Sequence, residues 1–190
     1  MIIGLTGSYC SGKDTVADFI VNSQGFGHFS LSDIIREAMK EEGIEPTREN
    51  LINFGSNLRA QNGNGALAKK ALSKMESGKN YCITSIRHPD EVAELRKSGN
   101  FVLINVDAPI KTRFERMQKR KREGDPQTLE KFIEFEKRES QSSGSGQQLT
   151  KTAALADITF INDFDGIELL HTKIDELIKA MIDERQKAFY

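Results

Sequence analysis

GSYCSGKDT, Gly7–Thr15, directly follows the apolar run MIIGLT, Met1–Thr6, and its reading decides the fold. Gly7 and Gly12 bracket four residues, and Lys13 comes next. Glycine admits positive φ and lets the backbone approach a ligand closely. Successive backbone N–H groups in such a bend converge on phosphate oxygens. A helix opening near Lys13 adds its positive dipole end and its unpaired N–H groups. The lysine brings a full charge toward the β and γ phosphates of a nucleotide. Gly7, Ser8, Ser11, Gly12, Lys13, Asp14 and Thr15 are therefore candidate nucleotide ligands, with ATP as the expected nucleotide.

One position departs from the usual pattern. The hydroxyl that meets magnesium is expected directly after the lysine. Asp14 stands there instead, and Thr15 follows one place late. A carboxylate can hold magnesium directly or through water. The loop thus reads as a Mg2+-dependent site with Asp14 and Thr15 organising the metal.

Further along the chain, Phe26–Phe29 reads as a second strand, and Ser30 or Ser32 can cap a helix through Lys40. Thr47 caps the next helix, which QNGNG, Gln61–Gly65, interrupts before another from Ala66 to about Met75. Tyr81–Ile86 reads as strand three, Pro89 opens a helix, and Phe101–Val106 is an almost purely apolar strand four. Lys111–Arg122 is a basic helix stopped by Gly124-Asp125-Pro126, and Thr128 caps a helix to about Arg138. Ser140–Gln148, SQSSGSGQQ, reads as a flexible loop. Ile158–Ile161 is strand five, and Gly166–Phe189 an amphipathic closing helix. Strands alternating with helices predict a five-stranded parallel α/β sheet covered on both faces. Ligands in such sheets sit beyond the carboxyl ends of the strands, where the opening loop falls.

The 190 residues suit a single domain, and 37% apolar with 29% charged residues is a globular composition. A net charge of -1 gives no global pull toward nucleic acid or an anionic membrane. No apolar stretch approaches spanning length and no signal peptide is visible, so a cytoplasmic location is expected. Cys10 and Cys82 have no metal-like spacing and read as two reduced thiols. His28, His88 and His171 are scattered and are assigned no chemistry.

Four stretches carry a resemblance: GLTGSYCSGKDTVADF, SLSDIIREAMKEEGIEPTREN, TSIRHPDEVAELRKSGNFVLINVDAPIKTRFERM and LADITFINDFDGIELL. Together they resemble the small P-loop kinases of the nucleoside-monophosphate kinase group. The likeness is to kinase-like proteins related to dephospho-coenzyme A kinase and deoxynucleotide kinases. The kinase-like domain of some deoxycytidylate deaminases is similar too. The resemblance implies a three-layer α/β/α P-loop fold, a helical substrate-binding section over residues 31–75 and a lid-like insert over 120–150. It also implies an ATP- and Mg2+-dependent transfer to a small phosphorylated acceptor. A (deoxy)nucleoside monophosphate comes first and dephospho-coenzyme A second. A non-catalytic nucleotide sensor is the rival of another class.

The resemblance assigns roles to particular residues. Ser32, Asp33 and Arg36 match an S-D-x-x-R element, in which Arg36 grips the acceptor phosphate and Asp33 orients or deprotonates the attacking oxygen. An ordinary surface ion pair is the structural alternative. Arg59 would reach the acceptor phosphate or be solvated, and Arg87 would bind the acceptor. Where relatives carry an acid ahead of that arginine, this chain has Thr84 beside Ser85. Asp14 would compensate, or catalysis would be lost. Arg116 would stack on adenine and Arg120 contact phosphates, with Lys121, Arg122 and Arg138 on the lid. The turn opening with Asn162 would read adenine through backbone groups. Asp157 is structural.

Overall fold

Five short runs form the strands, all but the second rich in Ile, Val, Leu, Phe or Thr: β1 Ile2–Gly7, β2 Gly27–Ser30, β3 Tyr81–Thr84, β4 Phe101–Asp107 and β5 Ile158–Ile161. They pair in the order β2-β3-β1-β4-β5, every pair parallel. The computed structural model describes residues 1–121, 124–140 and 146–187. Helices follow as α1 Lys13–Gln24, α2 Leu31–Glu41, α3 Arg48–Asn62, α4 Ala66–Ser73, α5 Pro89–Arg96, α6 Ile110–Arg120, α7 Leu129–Ser140, α8 Leu149–Ala153 and α9 Ile167–Lys187. Among the described residues no helix is long and apolar enough to cross a membrane.

Strand alternation splits the core in two. Ile3, Leu5, Cys82, Ile104 and Val106 pack with Val16 and Ile20 of α1 and with Ile174 and Ile178 of α9. Ile83 and Leu103 point the other way, into Ile34, Ile35 and Met39 of α2, Ala68 of α4 and Val92 and Leu95 of α5. Burial pushes the Cys82 thiol up to about 12, which leaves it an inert core group. Asp157 is structural, as expected: its two oxygens take the Leu103 N–H at 2.8 Å and the Arg96 guanidinium at 2.8 Å.

The strands place the opening loop. β1 lies between β3 and β4, with Gly7 paired to Val106. Gly7 has φ 145°, and a Cβ there would stand 2.0 Å from the Val106 carbonyl oxygen. Only glycine lets the loop leave the sheet at this point. Gly7→Ala is expected to lower unfolding stability by roughly 2–4 kcal/mol, from positive-φ strain plus a backbone clash. Urea denaturation measures it, and an unchanged midpoint would contradict the packing described.

Several boundaries differ from the sequence reading. β3 ends at Thr84 rather than Ile86, because Ser85 turns to φ 61°. α4 ends at Ser73 and not near Met75. α8 falls just after the expected loop, and Gln147 and Gln148 are buried rather than flexible. Residues 141–145 of that loop, and Arg122, lie outside the described residues, as does the Arg138 side chain.

Candidate functional site

The loop between β1 and α1 is braced from behind. Gly12 takes φ 88° and opens α1, and a Cβ on it would stand 2.2 Å from Asn162 Nδ2. That amide donates to the Ser11 carbonyl at 2.8 Å. Arg116 donates to the same carbonyl at 3.2 Å and to the Asn162 carbonyl at 3.0 Å. The Asn162 N–H is taken by the Asp107 carbonyl at 2.7 Å. With both backbone groups and its amide engaged, Asn162 is a buttress of the loop. Arg116 is likewise a brace through two carbonyls, while it also lines the cleft, where the face of its guanidinium is not used by these bonds.

Lys13 follows at the first position of α1. It keeps some surface open to the cleft while protein crowds its ammonium, and this desolvation lowers its pKa. Asp14 opposes the shift, Arg87 adds to it and Cys10 opposes it. A cleft of about 650 Å³ brings Gly12, Lys13, Asp14 and Thr15 together with Ser32, Asp33, Arg36, Arg87, Arg116 and Arg120. Ser8 and Ser11 are not among its walls: Ser11 is fully buried, and Ser8 lines a separate hollow behind the loop. Among the described residues no three carboxylate, imidazole or thiol groups gather in metal-binding reach. Asp14, Thr15 and Asp33 in one cleft are nonetheless a donor set that fits an ion taking one or two carboxylates and completing its shell with phosphate and water.

A second cavity, of about 380 Å³, adjoins the cleft and shares Tyr9, Ser32, Arg36, Ser85 and Arg87 with it. Leu31, Ile35, Leu51, Ile52 and Leu67 supply apolar walls, and Arg48 and Arg59 bring the guanidinium groups to four. Asp33 and Arg36 form the i,i+3 ion pair at 2.5 Å, half exposed at the cleft. Arg36 also donates to Ser32 Oγ at 3.0 Å. Ser30, Ser32 and Ser85 bring three hydroxyls within 2.8–3.2 Å of one another. Thr84, at the place of the missing acid, bonds His28 Nε2 at 3.0 Å.

Arg59 is not solvated: it is a wall of the arginine-lined cavity, with its guanidinium paired from inside. It is 3% exposed, and its Nε and Nη2 donate to Glu91 Oε1 at 3.0 and 2.8 Å. Glu91, fully buried, uses its other oxygen to take the N–H groups of Arg87 and His88 at 2.8 and 3.0 Å. The turn that aims Arg87 is thus fixed from inside by an ion pair. Gln147 adds a further hold, accepting from Arg87 Nη1 at 2.9 Å. His88 is a satisfied core histidine that caps α5.

Sequence reasoning passed over Tyr9, Glu91 and Gln147. Tyr9, inside the loop, packs its ring at 5.3 Å from Phe135 and 6.2 Å from Phe132 of α7. Its hydroxyl donates to Asp125 at 3.1 Å and accepts from Arg48 at 3.3 Å and from Arg120. Arg120, expected at phosphates, is held here by Tyr9 and by both Asp125 oxygens. A tyrosine in a loop otherwise made of small residues was the available signal.

The comparisons agree with this geometry. The AAA domain profile matches residues 3–142. A UPF0200 protein of Hyperthermus butylicus is 37% identical over 86% of this chain and 86% of its own length. Another, from Sulfurisphaera tokodaii, is 33% identical over 95% of this chain and 97% of its own. Shikimate kinase from Acinetobacter baumannii, solved with shikimate, superposes with a TM-score of 0.57 at 14% identity, covering 94% of this chain and 93% of that one. That likeness establishes a kinase-like P-loop fold. Neither UPF0200 relative's name specifies a reaction, so the resemblance to a particular nucleotide kinase stands only at the level of that fold. On the extent and identity of these matches, the chain belongs to the UPF0200 family, built on an AAA domain.

Proposed function

We propose that the protein is an ATP- and Mg2+-dependent phosphotransferase whose acceptor is a small phosphorylated molecule, most simply a (deoxy)nucleoside monophosphate. The observation that carries this is the shared wall: Ser32, Arg36, Ser85 and Arg87 line both the lysine-bearing cleft and the arginine-lined cavity. A polyphosphate in one and an acceptor in the other would meet across those residues. The cavity pairs guanidinium groups, suited to a phosphate, with an apolar wall suited to a base. Its size, near the lower end for ligand pockets, favours a monophosphate over the larger dephospho-coenzyme A.

In this reading an acceptor phosphate oxygen attacks the γ phosphorus in line, and the bond to the β–γ bridging oxygen breaks. Lys13 neutralises charge growing on the β and γ oxygens. Arg36 and Arg87 orient the acceptor, and Asp33 sets Arg36. Bound magnesium would add charge neutralisation, held by Asp14 and Thr15. Positioning and electrostatics supply most of the acceleration.

The test is phosphoryl transfer from ATP to a panel of ribo- and deoxynucleoside monophosphates and dephospho-coenzyme A, with Mg2+ and with chelator. Mg2+-dependent turnover of one or a few monophosphates is expected. Tight ATP binding with no transfer to any acceptor would replace the kinase with a sensor.

A further inference from the structure

Tyr9 is the residue the proposed chemistry leaves unused, yet it stands at every boundary of the site. It borders the lysine cleft and the arginine cavity alike. Its carbonyl is held by Arg113 at 3.4 Å, and its ring packs against Phe132 and Phe135. Its hydroxyl ties together Arg48 from α3, Arg120 from the end of α6 and Asp125 from the connection to α7. The guanidinium of Arg120 also lies over the ring at 4.8 Å, and that of Arg48 at 5.2 Å. Within this arrangement Arg120 lines the cleft with Lys13 while its Nε is buried with no partner.

We infer that Tyr9 is a positioning residue that couples the two ligand sites: its hydroxyl and Asp125 together hold Arg120 at the cleft, ready for the transferring phosphoryl group, while its ring closes the acceptor cavity. This rests on the phosphotransferase reading. The ring and the hydroxyl have separable duties. Phenylalanine keeps the aromatic wall and its contacts with Phe132 and Phe135 but removes the hydroxyl that bonds Asp125 and Arg120. Leucine removes both. Arg120 held at one point rather than two samples more orientations, which affects the transition state more than ground-state binding.

The experiment compares wild type, Tyr9→Phe, Tyr9→Leu, Asp125→Asn and the Tyr9→Phe/Asp125→Asn double variant. Each is checked for folding by circular dichroism. ATP affinity is measured by calorimetry, and steady-state transfer is followed to the monophosphate that wild type turns over fastest. Tyr9→Phe is expected to lower kcat about tenfold, the loss typical of one hydrogen bond to a charged group, with acceptor KM and ATP affinity within about twofold of wild type. Asp125→Asn should act in the same direction, and the double variant should lose less than the product of the two single losses, since both act through Arg120. Tyr9→Leu should in addition raise acceptor KM. Wild-type kcat in Tyr9→Phe, or losses that multiply in the double variant, would overturn the coupling and leave the kinase standing. A wild-type protein that binds no ATP would overturn both.

Discussion

Lys13→Met is expected to lower phosphoryl transfer by roughly 10³-fold while the protein stays folded, because the ammonium is the one full charge the loop itself can offer a polyphosphate. The side chain of methionine matches the length of the lysine stem, so packing at the start of α1 is kept. The same lysine predicts a pH signature. Burial holds its pKa below the ordinary lysine range in the free protein. A bound polyphosphate favours the charged form and so raises that pKa. Binding must therefore take up a proton wherever the pH lies between the free and the bound value. It follows that ATP affinity falls as pH rises through the lowered free value, and that it is flat well below it. Calorimetry in buffers of different ionisation enthalpy reads the proton uptake directly. Lys13→Met should abolish the alkaline uptake along with the transfer. A variant that retained wild-type turnover would remove the loop from the chemistry.

Glu91→Ala should be the most damaging change to the core that touches no ligand. It leaves the buried Arg59 guanidinium without its counter-charge and two N–H groups, of Arg87 and His88, without an acceptor. Breaking a buried pair from one side typically costs about 3–5 kcal/mol. Arg59→Met should cost a similar amount, since it strands the carboxylate instead. The double replacement Arg59→Met/Glu91→Gln should recover a good part of the loss, because no buried charge then remains unpaired. Urea unfolding of wild type, Arg59→Met, Glu91→Gln and the double variant tests this as a cycle. Additive losses would mean that the two groups do not act as a pair. In the double variant, transfer should stay low even where stability returns, because a neutral amide oxygen holds the Arg87 and His88 N–H groups less firmly than the carboxylate does. That separation of folding from turnover distinguishes a positioning pair from a merely stabilising one.

The strands and most helices were legible because each is announced locally. A run of β-branched residues, a capping Thr47 or a Pro89 speaks for its own neighbourhood. The phosphate loop was legible for the same reason: its glycines, its lysine and its flanking elements lie within fifteen residues of the start. What escaped was set by contacts between distant parts of the chain. The Tyr9 hydroxyl meets Asp125 across 116 positions, and Arg59 meets Glu91 across 32. No periodicity records such meetings. Arg59 illustrates the difficulty well, since an arginine before a glycine-rich break has the look of a surface residue until the helix face is known. Gln147 and Gln148 were hidden by composition: a serine–glycine stretch suggests mobility, but its last two residues dock against Arg87 and His88.

The grip on Ser11 has a consequence for anyone who would shorten or transplant the motif. Its carbonyl is clasped by Arg116 and Asn162, which come 105 and 151 residues later. A fragment stopped before β5 would carry all nine letters of GSYCSGKDT and still lack half of the clasp that shapes them. The peptide grafted onto another scaffold would fare no better. The ligand-ready form of the loop belongs to nearly the whole chain, and the smallest autonomous unit must reach at least to Asn162.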